Sequence, residues 1–138
     1  MSAAPSADSA GTVVELDQGA FDSAIRGRPF AIIDFWAPWC APCRSFAPTF
    51  AAAAAKHPDV LFAKVNTEVE QELAASFGIR SIPTLAIFRD DIVVYMEGGA
   101  LPPAALEDLI GQARAPDMDA VRSDSAAPRR RPGTARLA

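Results

Sequence analysis

The 138-residue chain has few of the residues that build metal sites: it contains two cysteines and one histidine, His57. A structural zinc ion ordinarily takes four cysteine or histidine ligands, so these three residues do not complete a site. No apolar run approaches the roughly 18 residues that a membrane-spanning helix needs. The net charge of −4 gives no general attraction for nucleic acid. We therefore expect no bound metal, no membrane span and no nucleic-acid partner.

Two further motifs are missing from the sequence. No glycine-rich dinucleotide fingerprint is present, so we expect no bound NADPH or flavin and no other cofactor. The first twelve residues, "MSAAPSADSAGT", lack the basic start and apolar stretch of a secretory signal. This predicts a cytoplasmic protein, in a reducing compartment where stable structural disulfides are rare.

Charge and composition divide the chain into three parts. Residues 12–115 carry 8 basic and 13 acidic side chains, whereas residues 116–138 carry 5 basic and 3 acidic ones and few large apolar residues. A segment with the composition of residues 116–138 cannot bury enough apolar surface to offset the entropy of ordering it. We expect one domain at 12–115 between disordered tails at 1–11 and 116–138. The "PRRRP" at 128–132 would suit an acidic partner or nucleic acid, but a solvated tail is the simpler interpretation.

Deleting residues 116–138 should leave both the melting temperature and the rate of the protein's reaction nearly unchanged. The reason is compositional, since the segment has almost no large apolar side chains to add to a core. Thermal melts of the full-length and shortened chains test this. A loss of several degrees in the shortened chain would show that the segment packs on the domain.

Hydrophobic patterning predicts nine elements in the order β-α-β-α-β-α-β-β-α. The predicted strands are 12–16, 30–36, 60–65, 84–88 and 92–96, and the predicted helices are 18–25, 40–56, 68–77 and 103–114. Strands that alternate with helices indicate an α/β fold with a central, partly parallel sheet covered on both faces. Pro48 predicts a kink in the second helix. The hairpin sequence "RDD" at 89–91 places Asp91 where a left-handed conformation is needed.

Both cysteines lie in "DFWAPWCAPCRSFAP" at 34–48, separated by two residues. Such a pair could be a redox couple, half of a metal site or a structural staple. The ligand count argues against a metal, and a staple across so short a loop would add little stability. Cys40 falls at the start of a predicted helix, where free amides and the helix dipole favour a thiolate. The pattern therefore favours a redox couple with an exposed attacking thiol at Cys40 and a deeper resolving thiol at Cys43.

Three motifs follow one another along the chain: "DFWAPWCAPCRSFAP" at 34–48, "GIRSIPT" at 78–84 and "GGAL" at 98–101. In the order and spacing of these motifs, residues 12–114 resemble the thioredoxin family. "KVNTE" at 64–68 and "IRSIPT" at 79–84 are most similar to the bacterial type-2 thioredoxins, which commonly carry an N-terminal zinc module with two cysteine pairs. That module has no counterpart in this sequence. The resemblance implies a thioredoxin fold, a five-stranded mixed sheet flanked by four helices. It also implies reduction of protein disulfides.

The resemblance also assigns roles to individual residues. Cys40 matches the attacking cysteine and Cys43 the resolving one, while Asp34 matches a buried proton-transferring aspartate and Lys64 its neighbour. Ile82-Pro83 matches a dipeptide with a cis bond that faces the cysteines. Trp39 and Gly99 match an apolar rim that receives substrate chains, and Trp36 packs beneath this rim. The expected substrate-contacting residues are Trp39, Ala41, Pro42, Ile82, Pro83 and Gly99. Ala41 departs from the family's usual glycine, which leaves the reduction potential open.

The implied partners are protein disulfides as substrates and a thioredoxin reductase as electron donor, with the chain itself a monomer. Two other classes of function remain open at this point. An oxidase or isomerase of an exported compartment would need a secretory signal or a membrane anchor, together with a more oxidising cysteine pair. A binding or chaperone module would use the fold with little redox turnover, although the intact Cys40–Cys43 pair, Asp34 and Pro83 argue against it.

Overall fold

A computed structural model describes residues 11–115 of the chain. Nine elements follow one another in the predicted order. They are β1 (Val13–Glu15), α1 (Gln18–Ile25), β2 (Phe30–Trp36), α2 (Ala41–Lys56), β3 (Leu61–Asn66), α3 (Gln71–Ser76), β4 (Thr84–Arg89), β5 (Ile92–Gly98) and α4 (Pro103–Arg114). The predictions for the two tails lie outside the described residues, apart from Gly11 at the edge of the first.

The five strands form one mixed sheet in the order β1-β3-β2-β4-β5. β3 runs parallel to both β1 and β2, whereas β4 is antiparallel to β2 and β5 is antiparallel to β4. Phe46 of α2 and Leu106 of α4 belong to the core on one face, and Phe21 of α1 and Leu73 of α3 to the core on the other. The predicted fold class, an α/β sheet covered on both faces, is confirmed.

Side-chain alternation along β2 divides the central strand between the two cores. Phe30 and Ile32 pack on the face covered by α2 and α4, whereas Ile33 and Phe35 pack on the face covered by α1 and α3. Because successive side chains of a strand point to opposite faces, Asp34 shares the face of Ile32. The fold therefore places this carboxylate on the face covered by the helix that begins next to Cys40.

α3 is shorter than predicted, because the segment before it forms a turn. The Asn66 side chain accepts the Glu68 amide at 2.9 Å. The Asn66 carbonyl accepts the amides of Val69 and Glu70 at 3.2 and 2.8 Å. Asparagine side chains compete with helical hydrogen bonding in this way. The helix consequently begins at Gln71 and not at the predicted residue 68.

The β4–β5 hairpin turns through two aspartates with positive φ, 51° at Asp90 and 70° at Asp91. The prediction of a left-handed Asp91 is confirmed, and Asp90 shares that conformation. Two-residue hairpin loops of this kind need positive φ at both central positions because their twist must match that of the strands. α2 runs through Pro48, and the kink there stays a prediction.

Candidate active site

The loop after β2 places Cys40 at the N-cap of α2, and its Sγ accepts the Cys43 backbone amide at 3.2 Å. Cys40 and Cys43 are joined by a disulfide, with their Cα atoms 5.2 Å apart. When the bond is reduced, the Cys40 sulfur lies at the end of the helix where amide groups and the dipole stabilise negative charge. This position favours a thiolate at Cys40. The local geometry is that of a reversible dithiol–disulfide pair.

Both cysteines are buried in this oxidised state, with 4% of Cys40 and 1% of Cys43 exposed. The prediction of an exposed attacking thiol is therefore wrong for the disulfide form. The physical reason is a small apolar cluster in which Ala37, Trp36 and Ile82 pack against the two cysteines. A chain segment distant in sequence covers the pair, which local helix geometry could not reveal.

The segment before β4 lies against the disulfide. Its Ile82-Pro83 peptide bond is cis, as predicted. The Ile82 carbonyl lies 3.8 Å from the Cys40 Sγ, within hydrogen-bonding range of a thiol. The Gly99 amide donates to the Pro83 carbonyl at 2.8 Å and so ties the end of β5 to this segment. The structure thus brings together Cys40, Ile82, Pro83 and Gly99.

Gly98 is a structural residue of the site that the sequence analysis missed. A Cβ at this position would lie 2.5 Å from the Ser81 Oγ and 3.9 Å from the Pro83 carbonyl oxygen, so any larger residue here would displace the Ser81 side chain beside the Ile82-Pro83 segment. The signal available in the sequence was the adjacent pair of glycines at 98–99. A pair of glycines predicts a turn equally well, so the close approach became visible only in three dimensions.

Replacing Gly99 with alanine should lower the free energy of unfolding by about 1–3 kcal/mol. The backbone φ of Gly99 is +116°, which L side chains rarely adopt, although no atom would crowd the new methyl group. Gly111→Ala in α4 is the matched control, since it also has open space around the methyl group but no positive φ. That control should raise stability by about 0.5–1 kcal/mol. Denaturant melts compare the two variants, and equal effects would rule out backbone strain at Gly99.

Asp34 is a buried acid with 3% of its surface exposed, and its Oδ1 has no hydrogen-bond partner among the described residues. Burial raises the pKa of this carboxyl from 3.8 to about 7, and the positive charge of Lys64 partly opposes the rise. Lys64 lies opposite Asp34 in the β2–β3 register, and its Nζ is 4.5 Å from the centre of a Trp36 ring. A carboxyl that titrates near neutral pH can both accept and release a proton under working conditions.

The expected substrate-contacting residues surround the disulfide, and most of them are open to solvent. Ala41 and Pro42, in the first turn of α2, are exposed, and 65% of Trp39 is exposed. The Trp39 indole donates to the Glu68 Oε1 at 2.5 Å. Glu68 is a second residue that the sequence analysis did not associate with the site, because 29 residues separate it from Trp39.

Among residues 11–115, no group of three or more histidine, cysteine, aspartate or glutamate side chains lies close enough together to hold a metal ion. His57 instead contacts the Glu107 carboxylate at 2.7 Å and the Arg114 guanidinium at 3.0 Å. None of the described helices is long and apolar enough to cross a membrane.

Comparison with known proteins agrees with this geometry. The family model described as thioredoxin matches residues 12–112. A Streptomyces coelicolor protein named as a thioredoxin 2 is 52% identical over 111 residues, covering 80% of this chain and 83% of that protein. A Haemophilus influenzae thioredoxin is 37% identical over 102 residues, covering 72% and 95%.

Solved structures show the same fold. Thioredoxin f from spinach chloroplast (long form) superposes with a TM-score of 0.73 at 29% identity, covering 79% of this chain and 92% of its own. Thioredoxin f2 in complex with ferredoxin:thioredoxin reductase gives 0.72 at 30% identity, covering 78% and 99%. With its mixed sheet, its cysteine pair at the start of α2 and these relatives, the chain belongs to the thioredoxin family.

Proposed function

We propose that this protein reduces disulfide bonds in other proteins, with Cys40 as the attacking residue and Cys43 as the resolving one. The observation that carries the proposal is the position of the Cys40 sulfur at the α2 N-cap, within bonding reach of Cys43. The Cys40 Sγ accepts the Cys43 backbone amide at the start of α2, and this contact favours a thiolate at Cys40.

The reaction proceeds by two thiol–disulfide exchanges. The Cys40 thiolate attacks one sulfur of the substrate disulfide, which forms a mixed disulfide and releases the other substrate sulfur as a thiolate that takes up a proton. Cys43 then loses its proton and attacks the Cys40 Sγ, so that the second substrate sulfur leaves. Two electrons pass to the substrate, and the Cys40–Cys43 bond closes.

Asp34 is proposed to accept the proton that Cys43 loses in the second exchange. Support comes from its pKa of about 7 and from its position in β2 on the face that α2 covers. Lys64 holds positive charge beside the ionised carboxylate and limits the rise of its pKa. We treat Lys64 as a positioning residue, because the observations place it near Asp34 and Trp36.

The substrate is proposed to lie across the exposed rim beside Cys40 as an extended segment. Its backbone would pair with Ile82, the residue before the cis proline, in the manner of an added strand. Apolar and small residues close to the disulfide would contact its side chains without demanding a particular sequence. These residues are Trp39, Ala41, Pro42, Ile82, Pro83 and Gly99.

We further propose that a thioredoxin reductase returns the Cys40–Cys43 disulfide to the dithiol. The related thioredoxin f2 has been solved in complex with such an enzyme, the ferredoxin:thioredoxin reductase. For this chain we favour an NADPH-dependent flavoprotein reductase, a cytoplasmic location and a monomeric state. A reducing compartment keeps a supply of electrons available to the oxidised pair.

A redox titration against glutathione tests the direction of the reaction. Thioredoxins have reduction potentials of about −270 mV, whereas strongly oxidising cysteine pairs reach about −120 mV. We expect the midpoint of this protein below about −230 mV, on the reducing side, with Ala41 shifting it only modestly. Alkylation of free thiols at each glutathione ratio measures the midpoint. A value near that of the oxidising pairs would indicate an oxidase and overturn the proposal.

A further inference from the structure

The large apolar side chains that are exposed within residues 11–115 are Trp39 and Val69, at 65% and 69% exposure. Isolated apolar residues on a surface are ordinary and need no explanation. Each of these two, however, is next in the chain to a residue of the site. Trp39 directly precedes Cys40, and Val69 directly follows the glutamate whose carboxylate binds the Trp39 indole.

A network of hydrogen bonds fixes the turn that carries Val69. The amide and hydroxyl of Thr67 donate to the Trp36 carbonyl at 2.8 and 3.1 Å. The Gln71 side chain donates to the Glu68 carbonyl at 3.0 Å, and the Asn66 bonds described above complete the turn. The turn is thus tied to the end of β2, just before the active-site loop, and the residue before Val69 contacts Trp39.

Negative charge accompanies the apolar pair. Glu68, Glu70 and Glu72 follow one another at alternate positions, and their recorded partners are neutral: the Trp39 indole for the first and Gln18 for the other two. Neither ion pair found in the described part of the chain involves these carboxylates. The Arg44 guanidinium, in the first turn of α2, donates to the Pro38 carbonyl at 3.0 Å and takes part in neither of those ion pairs. The surface beside Val69 therefore suits a basic partner.

We propose that Trp39, Glu68 and Val69 form a second contact surface for the substrate, which we call the turn arm. It takes a protein or peptide segment that flanks the target disulfide and carries an apolar residue followed by a lysine or arginine. The apolar residue covers Trp39 and Val69, and the basic residue approaches the carboxylates of Glu68 and Glu70. This inference rests on the proposed reductase function and adds a substrate preference to it.

Three synthetic peptides test the preference. They share one disulfide-closed ring and differ only in the dipeptide outside it, which is Leu-Lys, Leu-Glu or Gly-Gly. At low ionic strength, kcat/KM should be about fivefold higher for Leu-Lys than for Leu-Glu, and the ratio should shrink towards one in 1 M salt. Val69→Ser should lower the Leu-Lys value about threefold and leave the Gly-Gly value unchanged.

Glu68→Gln separates charge from hydrogen bonding, since the glutamine side chain still offers an oxygen to the Trp39 indole. It should reduce the ratio of the Leu-Lys to the Leu-Glu value about twofold. The matched control is Asp108→Asn, which removes one exposed charge from α4, on the opposite face of the sheet from α3. This control should leave the ratio as it is in the wild type.

Equal rates for all three peptides would overturn the turn arm and leave the reductase function standing. Failure to reduce any peptide would count against the reductase function itself. If Val69→Ser altered only the rate at which a reductase re-reduces the protein, the surface would belong to the electron donor and the proposal would be wrong. Melting temperatures of the variants show whether a lost rate reflects lost folding.

Discussion

Cys40→Ser should abolish disulfide reduction completely, while Cys43→Ser should stop the reaction halfway and accumulate mixed disulfides with substrates. The first variant has no effective nucleophile, because a serine hydroxyl is not ionised at neutral pH, whereas the start of α2 favours the thiolate form of a cysteine at its N-cap. The second variant still attacks but has no thiol to release the product.

Insulin reduction measures the loss in both variants, and mass spectrometry of the Cys43→Ser variant after incubation with substrate detects the trapped adduct. Alkylation of the reduced wild type gives an independent check, since Cys40 should react faster than Cys43. Faster labelling of Cys43, or an adduct that forms only on the Cys40→Ser variant, would require the two roles to be exchanged.

Asp34→Asn should stabilise the protein by about 1–3 kcal/mol at neutral and alkaline pH. Burial raises the pKa of Asp34 from 3.8 to about 7. At 1.36 kcal/mol for each unit, holding the ionised form in the folded state costs up to about 4 kcal/mol. The asparagine amide carries no charge, but it still loses its hydrogen bonds to water on burial. The expected gain in the free energy of unfolding is therefore smaller than about 4 kcal/mol.

The pH dependence of this gain follows from the direction of the shift. At the acid end of the interval the carboxyl is protonated in both states and costs little. As pH rises from 3.8 to about 7, the unfolded chain ionises while the folded protein keeps its proton, so the wild type loses stability. Above that range the loss is complete. The asparagine variant lacks this dependence, and its advantage should grow up to about pH 7 and then level off.

Denaturant melts of both proteins from pH 5 to 9 measure the difference, and other titrating groups cancel because both proteins contain them. Stopped-flow kinetics of a preformed mixed disulfide measure the second exchange, which the variant should slow more than the first. A less stable variant with an unchanged second exchange would mean that Asp34 is a structural carboxylate and carries no proton.

Much of the fold was predictable because its signals are local. The continuous apolar run of β2 marks a strand buried on both faces, and Pro42 and the Cys40 N-cap mark the start of α2. The cis bond before Pro83 followed from the family resemblance. The position of Asp34 within β2 was also predictable, since strand alternation fixes its face once the strand is known.

What escaped prediction depends on contacts between distant segments. The burial of Cys40 depends on Ile82, which lies 42 residues away, and the turn before α3 depends on how the Asn66 side chain bonds the backbone. The strand order, with β3 between β1 and β2, comes from packing of the whole chain. No local pattern in the sequence reports such contacts.

Coupled reduction of insulin by the full-length protein, with thioredoxin reductase and NADPH, tests the proposed reductase function. NADPH should be consumed in proportion to the insulin disulfides that open, and this consumption should disappear in the Cys40→Ser variant. The proposed function would be wrong if the folded, fully reduced wild type left the insulin disulfides intact, or if the Cys40→Ser variant reduced insulin as fast as the wild type.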